Sequence, residues 1–97
     1  MSRNPLTEDE RVIVAALTTF CVSILFEDER RTLLGLIAHH LPHVRRVPPL
    51  SDLVMAAEQF QCAKTPLEWT FAKSAAGRAL VPVLRSDLVG GTRGVAR

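Results

Sequence analysis

Three histidines, two cysteines and two runs of acidic residues are the side chains whose types and spacing could carry chemistry here. His39 and His43 stand four apart, a spacing that on an unbroken helix puts two imidazoles on one face for zinc. Pro42 lies between them and is expected to break that helix. Two poorly registered ligands fall short of the three or four that a zinc site needs, so no metal is expected. The reading preferred is a polar helix end, where imidazoles sit at the negative pole of the helix dipole. Cys21 or Cys62 beside a histidine is the other pairing with catalytic meaning. Their neighbours, Phe20 and Val22 for one and Gln61 and Ala63 for the other, suggest buried structural thiols. Glu8-Asp9-Glu10 and Glu27-Asp28-Glu29 each hold three carboxylates. Consecutive helical residues point in different directions, so neither triplet aims a carboxylate pair at one substrate. Both fit helix N-termini instead. No catalytic residue, metal ligand or cofactor is expected, and the chain is not read as an enzyme.

The elements that must position these groups come from a chain of 97 residues, enough for one domain. Hydrophobic residues make up 47%, which favours a packed core over disorder. The formal net charge is +2, too small for an argument about nucleic acid from bulk charge. Arg45-Arg46, near His43, is placed to touch phosphate or an acidic partner, but no recognition-helix pattern or aromatic interleaving accompanies it. Charges crowd the N-terminus, so no secretory leader is read, and the two thiols are expected to be buried, unpaired and cytoplasmic. The apolar run Val12 to Phe26 is shorter than the ~20 residues needed to span a bilayer.

The punctuation is helical throughout. Thr7 and Glu10 fit a capping box that opens a first helix, expected to run to about Cys21, with Ile13, Leu17, Phe20 and Ile24 on one face. A second helix is expected from Glu27 to Leu41, burying Leu33, Leu34, Ile37, Ala38 and Leu41. Pro48-Pro49 should stiffen the following loop toward polyproline geometry. Ser51 reads as the cap of a third helix, with Leu50 and Met55 placed for a hydrophobic staple. Thr65-Pro66-Leu67-Glu68 combines an N-cap Thr, Pro at the first helical position and Glu at the third. That fourth helix is expected to close at Gly77, before a further helix from about Arg78 to Val89 with Leu80, Val83, Leu84 and Leu88 inward. Pro82 is then accommodated in a first turn. Trp69 is expected to be half-buried. The sum is an all-α bundle of five to six short helices over residues 1–89, followed by a Gly-rich flexible tail over 90–97.

The middle of the chain carries Asp28-Glu29-Arg30-Arg31-Thr32-Leu33-Leu34, then Leu41-Pro42, Val44-Arg45-Arg46 and Asp52-Leu53-Val54 in order. This order resembles the bacterial effector-associated domains, small helical modules similar to the Death-fold adaptors. The resemblance spans roughly residues 7–89. It implies a Death-fold-like bundle that couples an effector to a sensor by binding a homologous helical domain, often in bacterial conflict or immune systems, with no active site. The chain departs from that family in Lys64-Thr65-Pro66-Leu67, where a Gly-rich lead-in is common, and in Trp69. The expected partner-binding residues are Glu27, Asp28 and Glu29 at one end of the second helix and Arg45 and Arg46 at the other, about 20 Å apart for a helix of that length. The resemblance adds Arg31. Charge reversal at Arg45 and Arg46 is expected to abolish binding and leave the fold intact. A protein partner is expected, self-association is left open, and neither nucleic acid nor a membrane is the expected target. The competing reading is a small stand-alone regulator, such as a phage or mobile-element protein that inhibits a host protein or binds nucleic acid.

Overall fold

The computed structural model describes residues 6–85. Four α-helices and one short 3-10 turn account for most of them, and no strand occurs among the described residues. Helix α1 spans Glu8–Val22, α2 spans Glu27–His40, the 3-10 turn covers Leu41–His43, α3 spans Leu50–Cys62 and α4 spans Pro66–Arg85. None of the helices is long and apolar enough to cross a membrane.

The start of α1 follows its capping signal. The Glu10 amide donates to the Thr7 hydroxyl at 3.2 Å, and the Thr7 amide donates to the Glu10 carboxylate at 2.9 Å. Helix α2 begins with the Phe26 amide donating to Glu29 at 2.9 Å. Its three acidic residues lie in the first turn, where the helix dipole favours negative charge. At α4 the Glu68 amide donates to the Thr65 hydroxyl at 3.1 Å, and the amides of Lys64 and Thr65 donate to the Glu68 carboxylate.

Helix α4 packs most extensively on α3 and also against α1. The buried faces explain this. Ala72, Ala76 and Ala79 on α4 and Ala56 and Ala57 on α3 are all buried, and small side chains let helix axes approach closely. Ile13 and Leu17 of α1, Ile37 of α2, Leu53 and Phe60 of α3 and Val83 of α4 fill the remaining core. Phe20 and Phe60 stack with ring centroids 4.4 Å apart, and Trp69 packs on both at 5.2 and 5.0 Å.

Several expectations change. The fourth helix does not close at Gly77: α4 is one helix of 20 residues, with Gly77 and Pro82 inside it. The five or six expected helices are therefore four and a turn within residues 6–85. Gly77 adopts no left-handed backbone, and its cost of about 1 kcal/mol relative to Ala is offset because Ala76, Ala79, Leu80 and Val83 continue the buried stripe that Ala72 begins. Pro82 has no N–H for the Arg78 carbonyl, but both residues are exposed, so water can replace that bond. Leu84 is half exposed rather than inward. Ser51 is not a cap. Helix α3 starts two residues earlier, with Pro49 at the N-cap and the Ser51 amide donating to the Val47 carbonyl at 2.9 Å. Leu50 is then inside the helix and Met55 is exposed, so no staple forms. Pro48-Pro49 is a turn with a cis peptide bond, not a polyproline stretch. In α2 only Ile37 is fully covered; Leu33 and Leu34 are half-buried and Ala38 is exposed. Ile24 lies beyond α1 and faces solvent. The expected tail 90–97 and the last residues of the expected fifth helix lie outside the described residues.

Candidate functional site

Two places concentrate charge, and the second adds exposed apolar surface. The first is the loop-helix junction where Arg45 meets α1. Glu10 is completely buried, and its carboxylate accepts from the Arg45 guanidinium at 2.7 Å through both Nε and Nη2. The Arg45 backbone amide adds a bond at 3.1 Å, and the Thr7 amide completes the set. Burial opposes ionisation of Glu10. The Arg45 guanidinium and the backbone amides of Thr7 and Arg45 outweigh it and hold the carboxyl at about 2. One residue therefore closes the capping box of α1 and pins the loop before α3. Next to it, His40 Nδ1 lies 2.6 Å from the Asp9 carboxylate, tying the end of α2 to the start of α1.

This corrects the expectation for the basic pair. Arg45 is engaged inside the molecule, so reversing its charge would strike the fold as well as any surface. Arg46 is exposed and reaches Glu58 of α3 at 3.3 Å. An exposed ion pair of this kind is weak and readily exchanged for an external partner.

The second place is the corner between α1 and α2. Val22, Ile24 and Phe26 are 75%, 96% and 79% exposed. Glu27, Asp28 and Glu29 follow at once and are all exposed. Arg31 reaches Glu27 at 3.0 Å and Asp28 at 4.0 Å along the helix. The structure thus brings Glu27, Asp28, Glu29 and Arg31 onto one turn and holds Arg45 and Arg46 near the other end of α2.

Beside the corner lies a cleft centred on Trp69. Arg30 sits over the indole ring at 5.5 Å, a cation–π contact. Arg30, Trp69 and Lys73 separate an apolar lobe of about 170 Å³, which Ile24 and Leu25 help to line, from a polar lobe of about 370 Å³ at Lys64, Thr65 and Thr70. Trp69 itself is half-buried, as expected.

Cys21 and Cys62 are unpaired, as expected, but not both buried. Cys21 is half-buried; its thiol donates to the Lys73 carbonyl at 3.6 Å, and burial pushes its pKa up against the opposing pull of Lys73. Cys62 is exposed, because it falls in the last turn of α3 on the face turned away from Phe60. His39 packs edge-on against His40, and His43 lies beyond α2 in the 3-10 turn, so His39 and His43 share no continuous helix.

Sequence reasoning missed Glu10–Arg45, the cleft and the apolar corner. The corner had a signal: Ser23 interrupts the apolar run and Glu27 starts a new helix within four residues, leaving little chain in which to bury Ile24 and Phe26. Comparison of the chain with protein-family models, with curated proteins and with solved structures finds no match.

Proposed function

We propose that this chain is an adaptor: a helical module that recruits or regulates an effector by binding a homologous helical domain. The observation that carries this reading is the α1–α2 corner, where Val22, Ile24 and Phe26 stand exposed beside three carboxylates. Contiguous apolar surface with a charged border is the anatomy of a protein-binding surface. Glu27, Asp28, Glu29 and Arg31 supply that border, and Arg46 supplies a basic contact at the far end of α2. The resemblance to effector-associated domains supports the same role, with a Death-fold-like arrangement and a place in bacterial conflict or immune signalling.

The test is co-expression of the tagged chain with the products of the flanking reading frames. A helical domain should co-purify, and Ile24→Asp with Phe26→Asp should remove it while the helical circular dichroism signal stays unchanged. Recovery of no helical domain, or recovery indifferent to the double substitution, would reject the reading. If the chain instead retains nucleic acid with a steep salt dependence, the regulator reading replaces it.

A further inference from the structure

We propose that the cleft around Trp69 is a docking site for an acidic linear peptide segment that carries one large apolar side chain. This rests on the reading of the chain as a protein-binding module and gives one partner its chemistry. The apolar lobe, about 170 Å³, is lined by Phe20, Leu25 and Trp69, with the solvent-facing Ile24 at its edge. The lobe is an open cleft, and its volume is on the order of that of one Phe or Leu side chain. The polar lobe offers Lys64 and the hydroxyl-bearing Thr65 and Thr70. Arg30 and Lys73 stand where the two lobes meet.

Arg30, Lys64 and Lys73 make no ion pair among the described residues. Three cations spread across two lobes match carboxylates spaced along an extended chain on either side of an apolar anchor. The Trp69 ring already packs on Phe20 and Phe60 and is covered by Arg30. It therefore does not offer the open face on which a nucleobase would stack. The nearby Glu68 carboxylate is occupied by the amides of Lys64 and Thr65, which hold its pKa below the usual carboxylate range. The chain's own run Ile24-Leu25-Phe26-Glu27-Asp28-Glu29 has the proposed composition, so a second copy is the specific rival occupant.

Trp69 is the sole tryptophan, so intrinsic emission reports on the cleft directly. The probe is the capped peptide Glu-Asp-Glu-Asp-Phe-Glu-Asp-Glu-Asp, titrated into the purified full chain at low salt. A saturable change in emission is expected, weakened by added salt. Replacing the central Phe by Ser should weaken binding about ten-fold, through loss of the apolar anchor. Lys64→Glu with Lys73→Glu, both exposed positions, should weaken it by about as much again. No saturable change, equal binding of the Ser peptide, or indifference to the double substitution would each overturn the proposal. Self-association that shares the double variant's sensitivity and is not competed by peptide would assign the cleft to a second copy and overturn the linear-segment proposal. The adaptor reading is judged separately: recovery of no helical domain with peptide binding intact rejects that reading alone, and recovery of the domain without peptide binding rejects the cleft alone.

Discussion

Glu10→Gln isolates the contribution of the buried ion pair. Gln at this position can still accept the Thr7 amide, so the capping box survives while the charge and one acceptor oxygen are removed. In the wild type the carboxylate receives two guanidinium bonds at 2.7 Å and the Arg45 amide at 3.1 Å. In the variant, with the carboxamide oxygen kept toward the Thr7 amide, the N–H₂ faces the Arg45 Nε–H and backbone amide, and Arg45 loses its counter-charge. Breaking a buried pair by removing one partner costs ~3–5 kcal/mol. The Arg45 side chain is 33% exposed, which places the cost near the lower end, about 3 kcal/mol. For a domain of this size that is a fall in Tm of about 12–24 °C. The pH dependence gives a second reading. The Glu10 carboxyl is lowered from 4.5 to about 2 in the folded protein. A depressed carboxylate contributes stability that is fully present above the unfolded value and lost as pH falls toward the folded one. The gap between wild type and variant should therefore be constant above about pH 5 and close between 4.5 and 2. Urea denaturation followed by circular dichroism at a series of pH values measures it. A difference below about 0.5 kcal/mol at neutral pH, the level of an ordinary surface substitution, would refute the reasoning. So would a gap that does not change with acid.

Two further outcomes follow from the helix ends. Thr65→Ala removes the hydroxyl that accepts the Glu68 amide and should lower stability by about 1 kcal/mol, read as a lower urea midpoint; an unchanged midpoint would mean that the cap contributes nothing. A thiol reagent should modify Cys62 rapidly in the native protein, while Cys21, half-buried and bonded to the Lys73 carbonyl, should react slowly until the chain unfolds; equal native rates would contradict the placement of α3 and α4.

Local signals were legible where one side chain decides the backbone. Thr7 with Glu10, and Thr65 with Glu68, marked helix starts from the sequence because a capping box satisfies amides within four residues. The all-helical class followed from such signals. The length of α4 was not legible. Gly77 and Pro82 read locally as breaks, yet the alanine seam against α3 carries the helix through both, a tertiary effect that propensity does not contain. Glu10 and Arg45 are 35 positions apart and joined only by packing, so Glu10 read as a cap and Arg45 as a free loop arginine. The cleft was hidden for the same reason. Its cations, Arg30, Lys64 and Lys73, come from α2, the α3–α4 loop and α4, and no sequence spacing links them. The acidic corner was half legible: Glu27, Asp28 and Glu29 were singled out, but Ile24 was placed on the buried face of the first helix and Val22 and Phe26 were given no surface role.

The central claim is that the α1–α2 corner, beside which Trp69 lies, meets a protein partner. Backbone amide chemical shifts of the isotope-labelled chain, recorded while the co-purifying helical domain is added, test it most directly. Shifts concentrated at Val22 to Arg31 and at the Trp69 indole N–H are predicted. Shifts confined to surfaces remote from that corner, with Ile24, Phe26 and Trp69 unmoved at saturation, would contradict it.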